Sequence, residues 1–267
     1  MRRREFLGTV AAQAAAGTLQ RFDVVVVGAG VFGACTAHLL RKSGKKVALL
    51  DAYGAGNSRA SSGGESRIIR MGYGKAEVYT RWSHASLGWW RDFFKRTGHP
   101  LFHQTGVLWM SHADDVRTRE SRATLERLRI PFEAIAEAEL ARRYPQIRFP
   151  GMIGTLEPES GALAARQAVQ AVVADAVRNG CEYIPDAVAQ PRGKGKLDTV
   201  ATNSGRKIPA NVFVFACGPW LGKLFPDLLG NRIFPSRQEV FFFGIPAGDR
   251  RFAPPALPVW IDFSIPA

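Results

Sequence analysis

Six residues, Gly28-Ala29-Gly30-Val31-Phe32-Gly33, are the first in the chain whose types and spacing suit a chemical task. The GxGxxG pattern lets backbone approach a diphosphate. Gly28 permits the tight turn, Gly30 lets the main chain come close to the pyrophosphate, and Gly33 lets the following helix pack against the strand. Val31 and Phe32 open that helix, whose free N–H groups and partial positive charge suit phosphate oxygens. Asp51, followed by Ala52, falls at the tip of the next strand, where a carboxylate can hold ribose hydroxyls. Alone the hexapeptide is a weak signal. Between a strand and a helix, with an acid at the next strand's end, it reads as a dinucleotide site.

The elements that must position these residues follow from periodicity. Phe22–Val27 is a β-branched apolar run, the mark of a buried parallel strand. Val31–Lys42 reads as a helix closing at Ser43-Gly44, and residues 46–50 as a second buried strand, completing one βαβ unit. Residues 54–64 are rich in Gly, Ser and Asn and form a loop. A helix is expected over 78–96 with Trp82, Ala85, Trp89 and Phe93 on one face, read as core. Val107–Ser111 is a strand, 114–129 an amphipathic helix, and 145–158 loop-rich. A helix over 163–179 ends at Gly180, and strands follow over 181–184 and 188–191. Residues 197–208 form a hairpin turning at Asn203-Ser204-Gly205. A third buried strand over 211–216 runs into Cys217-Gly218, and 240–243 and 259–263 are again strand-like. The fold class is α/β.

FAD and NAD share the glycine fingerprint, and three later features favour FAD. Ser61 and Ser62, in the long loop after Asp51, could line the cofactor. The small-residue turn Ala216-Cys217-Gly218 allows a second close backbone approach. No apolar catalytic domain with a His/Asp relay accompanies the motif, as a nicotinamide dehydrogenase would need.

Composition narrows the partners. The chain has 267 residues, 46% hydrophobic and 22% charged, as a globular protein does. No apolar run of ~18 residues occurs, so no transmembrane segment is expected. The net charge of +13 comes with scattered arginines and no nucleic-acid-binding signature, so a pyrophosphate and a carboxylate substrate account for it better than nucleic acid. Three widely spaced cysteines without a CxxC pair, and five histidines without HExxH, argue against zinc and a disulfide framework. Met1-Arg2-Arg3-Arg4-Glu5-Phe6-Leu7, followed by an Ala-rich stretch, resembles a twin-arginine export signal and suggests a periplasmic enzyme. The alternative is a basic tail on a cytoplasmic one.

The most specific stretch is Gly64-Glu65-Ser66-Arg67-Ile68-Ile69-Arg70-Met71-Gly72-Tyr73-Gly74. It resembles the GxTRIIRxxYG segment of the monomeric sarcosine oxidase and N-methyltryptophan oxidase group of FAD-dependent amine oxidases. The likeness extends through Thr105-Gly106-Val107-Leu108, Glu157-Pro158-Glu159-Ser160-Gly161, Cys217-Gly218-Pro219-Trp220 and Arg237-Gln238. The resemblance implies an FAD-binding Rossmann-like domain with an interleaved substrate domain carrying an antiparallel sheet. On that map residues 1–21 are a signal or basic tail. Residues 22–100 and 155–229 form the FAD-binding domain, and 101–154 and 230–267 the substrate domain. The position matching Arg67 lies beside the flavin ring, with Ile68 next to it, and that matching Arg70 pairs with the substrate carboxylate. Val188 and Trp220 complete the expected cofactor contacts. The implied reaction is oxidation of the C–N bond of a small carboxylate-bearing amine, with molecular oxygen as acceptor and hydrogen peroxide released.

Departures from the pattern carry their own expectations. Ser62-Gly63 stands where sarcosine oxidases have a histidine pair. The family also continues beyond the point where this sequence ends, and the continuation supplies an oxygen-activating lysine and the cysteine that attaches FAD. None of Cys35, Cys181 and Cys217 matches that attachment position, and Cys35 and Cys217 read as packing residues. The expectation is a C-terminally truncated chain that does not form a stable holoenzyme alone. A dehydrogenase passing electrons to a carrier, and an inactive fragment, are the alternatives.

Overall fold

A computed structural model describes residues 21–192 and 195–263, so the arginine-rich start lies outside the described residues. Strand β1 (Phe22–Val27) leads through the glycine turn into helix α1 (Val31–Lys42), and β2 (Val47–Leu50) returns beside β1. The two strands pair in parallel with Val24 opposite Val47, the pairing that a helical crossover permits. Both are buried on both faces, which is why they read as unbroken apolar runs rather than alternating ones.

Next come β3 (Ser66–Ile69), the long helix α2 (Glu77–Thr97), the short β4 (Phe102–His103) and β5 (Val107–Ser111). Helix α2 stops at Gly98, whose φ of 72° gives the left-handed cap that glycine adopts without strain. Helix α3 (Val116–Arg127) starts at Asp115, whose side chain accepts the Thr118 N–H. It is followed by β6 (Glu133–Ile135), α4 (Glu137–Arg143), β7 (Ile153–Glu157) and β8 (Gly161–Ala164). Then come α5 (Ala165–Arg178), β9 (Glu182–Ile184), β10 (Thr199–Ala201) and β11 (Lys207–Phe215). A 3-10 turn (Gly218–Trp220), two single-turn helices α6 (Leu221–Leu224) and α7 (Pro226–Leu229), and β12 (Val259–Asp262) complete the order.

The strands form three sheets. The largest has order β10-β11-β1-β2-β9, parallel except for β10. The second, β12-β5-β7-β6, is antiparallel at β5-β7 and β6-β7, but β12 joins β5 in parallel. The third, β3-β8-β4, is antiparallel and lies between them in chain order. Small residues bring α1 and α5 together over the main sheet: Ala34 and Ala37 from one, Ala168, Val172 and Ala176 from the other, all buried in one cluster with Trp90, Phe93 and Phe94 of α2. Asp175 of α5 ties the three helices together. It accepts two hydrogen bonds from Arg96 of α2 and lies 3.2 Å from Nδ1 of the buried His38 of α1.

Several sequence expectations are corrected. The strand expected over 188–191 is reduced to a single bridge between Val188 and Thr202. Residues 240–243 form no strand: Val240, Phe241, Phe242 and Phe243 are 72% or more exposed, so their apolar run finds no sheet partner. The loop-rich 145–158 ends in β7, because Gly154 fits where a Cβ would come 2.9 Å from Leu140 and 3.0 Å from Leu108. The helix expected from 163 starts at Ala165 instead. Pairing of Gly161–Ala164 with Ser66–Ile69 overrides the local helical preference of Ala-Leu-Ala.

Candidate cofactor cleft and arginine strand

The glycine turn works through two close approaches. Gly28 has φ of +105°, and a Cβ there would meet the Ala216 carbonyl oxygen at 2.4 Å. A Cβ on Gly33 would stand 1.7 Å from the Gly28 carbonyl oxygen and 3.3 Å from Ala216 Cβ. These two positions clamp β1, α1 and the turn after β11 into one unit. Gly30 differs: a Cβ there meets only Ser62 Oγ, at 3.4 Å, so glycine keeps space open at the helix start rather than relieving a clash. The Val31 N–H donates to Ser62 Oγ at 3.0 Å, which holds the serine loop over the first turn of α1. Asp51, 9% exposed, accepts the N–H groups of Ala29 at 2.6 Å and Tyr53 at 2.8 Å.

A cavity of about 670 Å³ lies against this glycine turn. Gly28, Gly30, Val31 and Phe32 form one wall and Asp51 and Ala52 the next. Ser61, Ser62 and Arg67 close the loop side. Val188, just past β9, and Ala216, Cys217, Gly218 and Trp220 of the turn after β11 also line it. Gly33, Ile68 and Arg70 lie outside the lining; Gly33 sits behind the turn, and Ile68 is 39% exposed on β3. The cleft also contains residues that sequence reasoning missed, among them Tyr53, Asn57, Gln190 and Lys223. Tyr53 and Trp220 stand with ring centroids 6.0 Å apart, and Arg59 lies 4.5 Å over the Tyr53 ring. Tyr53 could have been found from its place just past Asp51, whereas nothing around Lys223 marks it.

The open helix start, the glycine at position 30 and a cavity of about 670 Å³ reaching from the glycine turn to the turn after β11 fit a dinucleotide. Burial pushes the thiols of Cys35, Cys181 and Cys217 up to about 11, so each is protonated near neutrality, as packing residues are.

Positions three apart on an extended chain face opposite sides, and the structure separates the two arginines accordingly. Arg67, on β3, turns into the cavity, where its guanidinium donates to the carbonyls of Ser61 and Ser66. Gly64 makes room for it, since a Cβ there would stand 2.4 Å from Arg67 Nη1. Arg70, half-buried just past β3, points to the second sheet. Its Nη1 donates to the Gly72 carbonyl at 2.9 Å, and its Cζ lies 4.4 Å from the Tyr73 ring and 4.7 Å from the Trp109 ring.

The family model described as FAD dependent oxidoreductase matches residues 23–265. The human peroxisomal sarcosine oxidase is 34% identical over 209 residues, covering 78% of this chain and 53% of that protein. The monomeric sarcosine oxidase of Bacillus sp. strain B-0618 is 28% identical over 225 residues, covering 83% and 58%. Among solved structures, the open form of NikD, described as an unusual amino acid oxidase essential for nikkomycin biosynthesis, superposes with a TM-score of 0.67 at 26% identity. It covers 78% of this chain and 54% of that one. The chain thus spans about half the length of the curated relatives it matches. With the matched region running from β1 to the end of the described residues, the chain belongs to the family of FAD-dependent oxidoreductases.

Proposed function

We propose that the protein serves the oxidation of the C–N bond of a small carboxylate-bearing amine, an N-methyl amino acid of the sarcosine type, to an imine. Molecular oxygen is the acceptor and hydrogen peroxide the product. The redox chemistry, removal of a hydride equivalent from the carbon beside the amine nitrogen, is what FAD would supply when held in the cleft. The glycine turn and the start of α1 hold the diphosphate, and Asp51 the ribose. Arg67 sets a fixed positive charge on the loop side of the cavity. Arg70 grips the substrate carboxylate through its planar fork, which stays charged throughout. No protein base is needed when the amine reacts in its neutral form.

One observation carries this reading: the Arg70 guanidinium lies over two aromatic rings and, among the described residues, pairs with no carboxylate, so the donors other than the one given to the Gly72 carbonyl are left for an incoming anion. The division into an FAD-binding part (22–100, 155–229) and a substrate part (101–154, 230–267), and export through the Arg3-Arg4 segment, belong to the same proposal. The test is peroxide formation from sarcosine by the flavin-loaded protein, run beside reduction of an artificial dye without oxygen. Dye reduction without peroxide would replace oxygen by a carrier; neither activity on any N-methyl or primary amino acid would refute the proposal.

A further inference from the structure

Three groups hold the Arg70 guanidinium: the Gly72 carbonyl and the faces of Tyr73 and Trp109. Two of them, Gly72 and Trp109, are tied to one buried carboxylate. Glu157, the last residue of β7, is 1% exposed. Its Oε1 accepts the Gly72 N–H and the Trp109 Nε1–H, both at 2.7 Å. Its Oε2 accepts the Met71 N–H and the Ser160 hydroxyl, again both at 2.7 Å. A carboxylate removed from water without a cation is unfavourable unless donors compensate it, and four short charge-assisted hydrogen bonds do so here. Gly72 permits the arrangement, since a Cβ there would lie 3.0 Å from Glu157 Oε1 and 3.1 Å from Trp109 Cε2.

We infer that Glu157 is a positioning residue for carboxylate recognition. It fixes the ring of Trp109 and the turn at Met71-Gly72, and through them aims the Arg70 fork; this rests on Arg70 being the carboxylate clamp. Stability alone does not call for a carboxylate at this place, because a buried ionic group is often matched by an apolar one of like volume. What an apolar residue cannot do is join the backbone beside Arg70 to the ring beneath it. An amide cannot either. Glutamine offers one accepting oxygen and sets an NH2 group against two of the four donors.

The test uses methoxyacetate, an ether analogue of sarcosine with a carboxylate and no oxidisable amine, and the uncharged methoxyacetamide. Both are titrated calorimetrically into flavin-loaded wild type, Glu157→Gln and Arg70→Ala. Glu157→Gln should raise the methoxyacetate Kd about tenfold, equivalent to ~1.4 kcal/mol, and leave methoxyacetamide unchanged. With sarcosine, KM should rise while kcat holds. Equal weakening of both analogues, or of neither, by Glu157→Gln overturns the inference while a selective Arg70→Ala effect keeps the clamp. A flat response to Arg70→Ala overturns the clamp and the inference together. Should Glu157→Gln fail to fold, Gly72→Ala replaces it, because that change keeps the carboxylate and every donor. The same selective loss is expected there, and its absence refutes the positioning role.

Discussion

Asp51 Oδ2 accepts the Ala29 N–H at 2.6 Å, tying the end of β2 to the glycine turn that follows β1. The carboxylate shapes the phosphate cradle as well as lying in the cavity. Removing one partner of a buried charge-assisted hydrogen bond costs about 1.5–3 kcal/mol. Asp51→Ala should therefore weaken FAD binding about ten- to a hundredfold, measured by equilibrium dialysis of reconstituted protein. Unchanged FAD affinity would show that the Ala29 contact is incidental.

That contact marks how far the sequence could be read. The first βαβ unit was legible because its signals are local: a β-branched run, three glycines, a helix and an acid within a short span. The third sheet was not legible, since β3 and β8 pair only in the folded chain and each alone looks like loop or helix. Glu157 was noticed within a segment resembling the family's, but its donors come from Met71, Gly72, Trp109 and Ser160, and no periodicity connects those positions. The exposed run at 240–243 misled for the converse reason: strand propensity without a partner makes no strand.

Glycines 30 and 33 should separate cofactor binding from folding. Gly33→Ala places a methyl against the Gly28 carbonyl, an overpacking that costs ~1–3 kcal/mol, so Tm should fall by roughly 2–10 °C and flavin content with it. Gly30→Ala meets only Ser62 Oγ at ordinary contact distance, so Tm of the flavin-free protein should barely move while FAD affinity drops. Equal thermal losses in both would contradict the division of labour between the two glycines.

Arg70→Ala should act on amino-acid binding. A charge-assisted pair with the substrate carboxylate contributes roughly 1.5–3 kcal/mol, which predicts a KM about ten- to a hundredfold higher. Arg70→Lys should recover only part, because an ammonium has no planar fork to match a carboxylate and cannot stack as a guanidinium can over Trp109 and Tyr73. Steady-state kinetics on sarcosine decides it: an unchanged KM in Arg70→Ala would remove the arginine from substrate binding.

The helix cluster behind the cradle should make the fold sensitive to mild acid. His38 is 1% exposed, with Trp89 and Phe93 edge-on to its ring. Burial lowers its pKa from the ordinary 6.5, and the nearby Asp175 carboxylate offsets only part of that. Asp175 moves the same way: burial alone would raise its pKa, but hydrogen bonds from Arg96 and Arg178 outweigh this and hold it low. For both groups the folded-state pKa lies below the unfolded one, so the unfolded chain binds protons first. Each contributes stability above its unfolded pKa that is lost as pH falls through the folded value. The loss from His38 begins as pH drops below about 6.5, and that from Asp175 below about 4. Melting curves between pH 8 and 5 should therefore show Tm declining once pH passes below 6.5. His38→Leu, which cannot take up a proton, should flatten that part of the profile, while the Asp175 loss at lower pH, reached by extending the curves below about pH 4, should remain. If the variant keeps the same decline between pH 6.5 and 5, the sensitivity arises elsewhere in the protein.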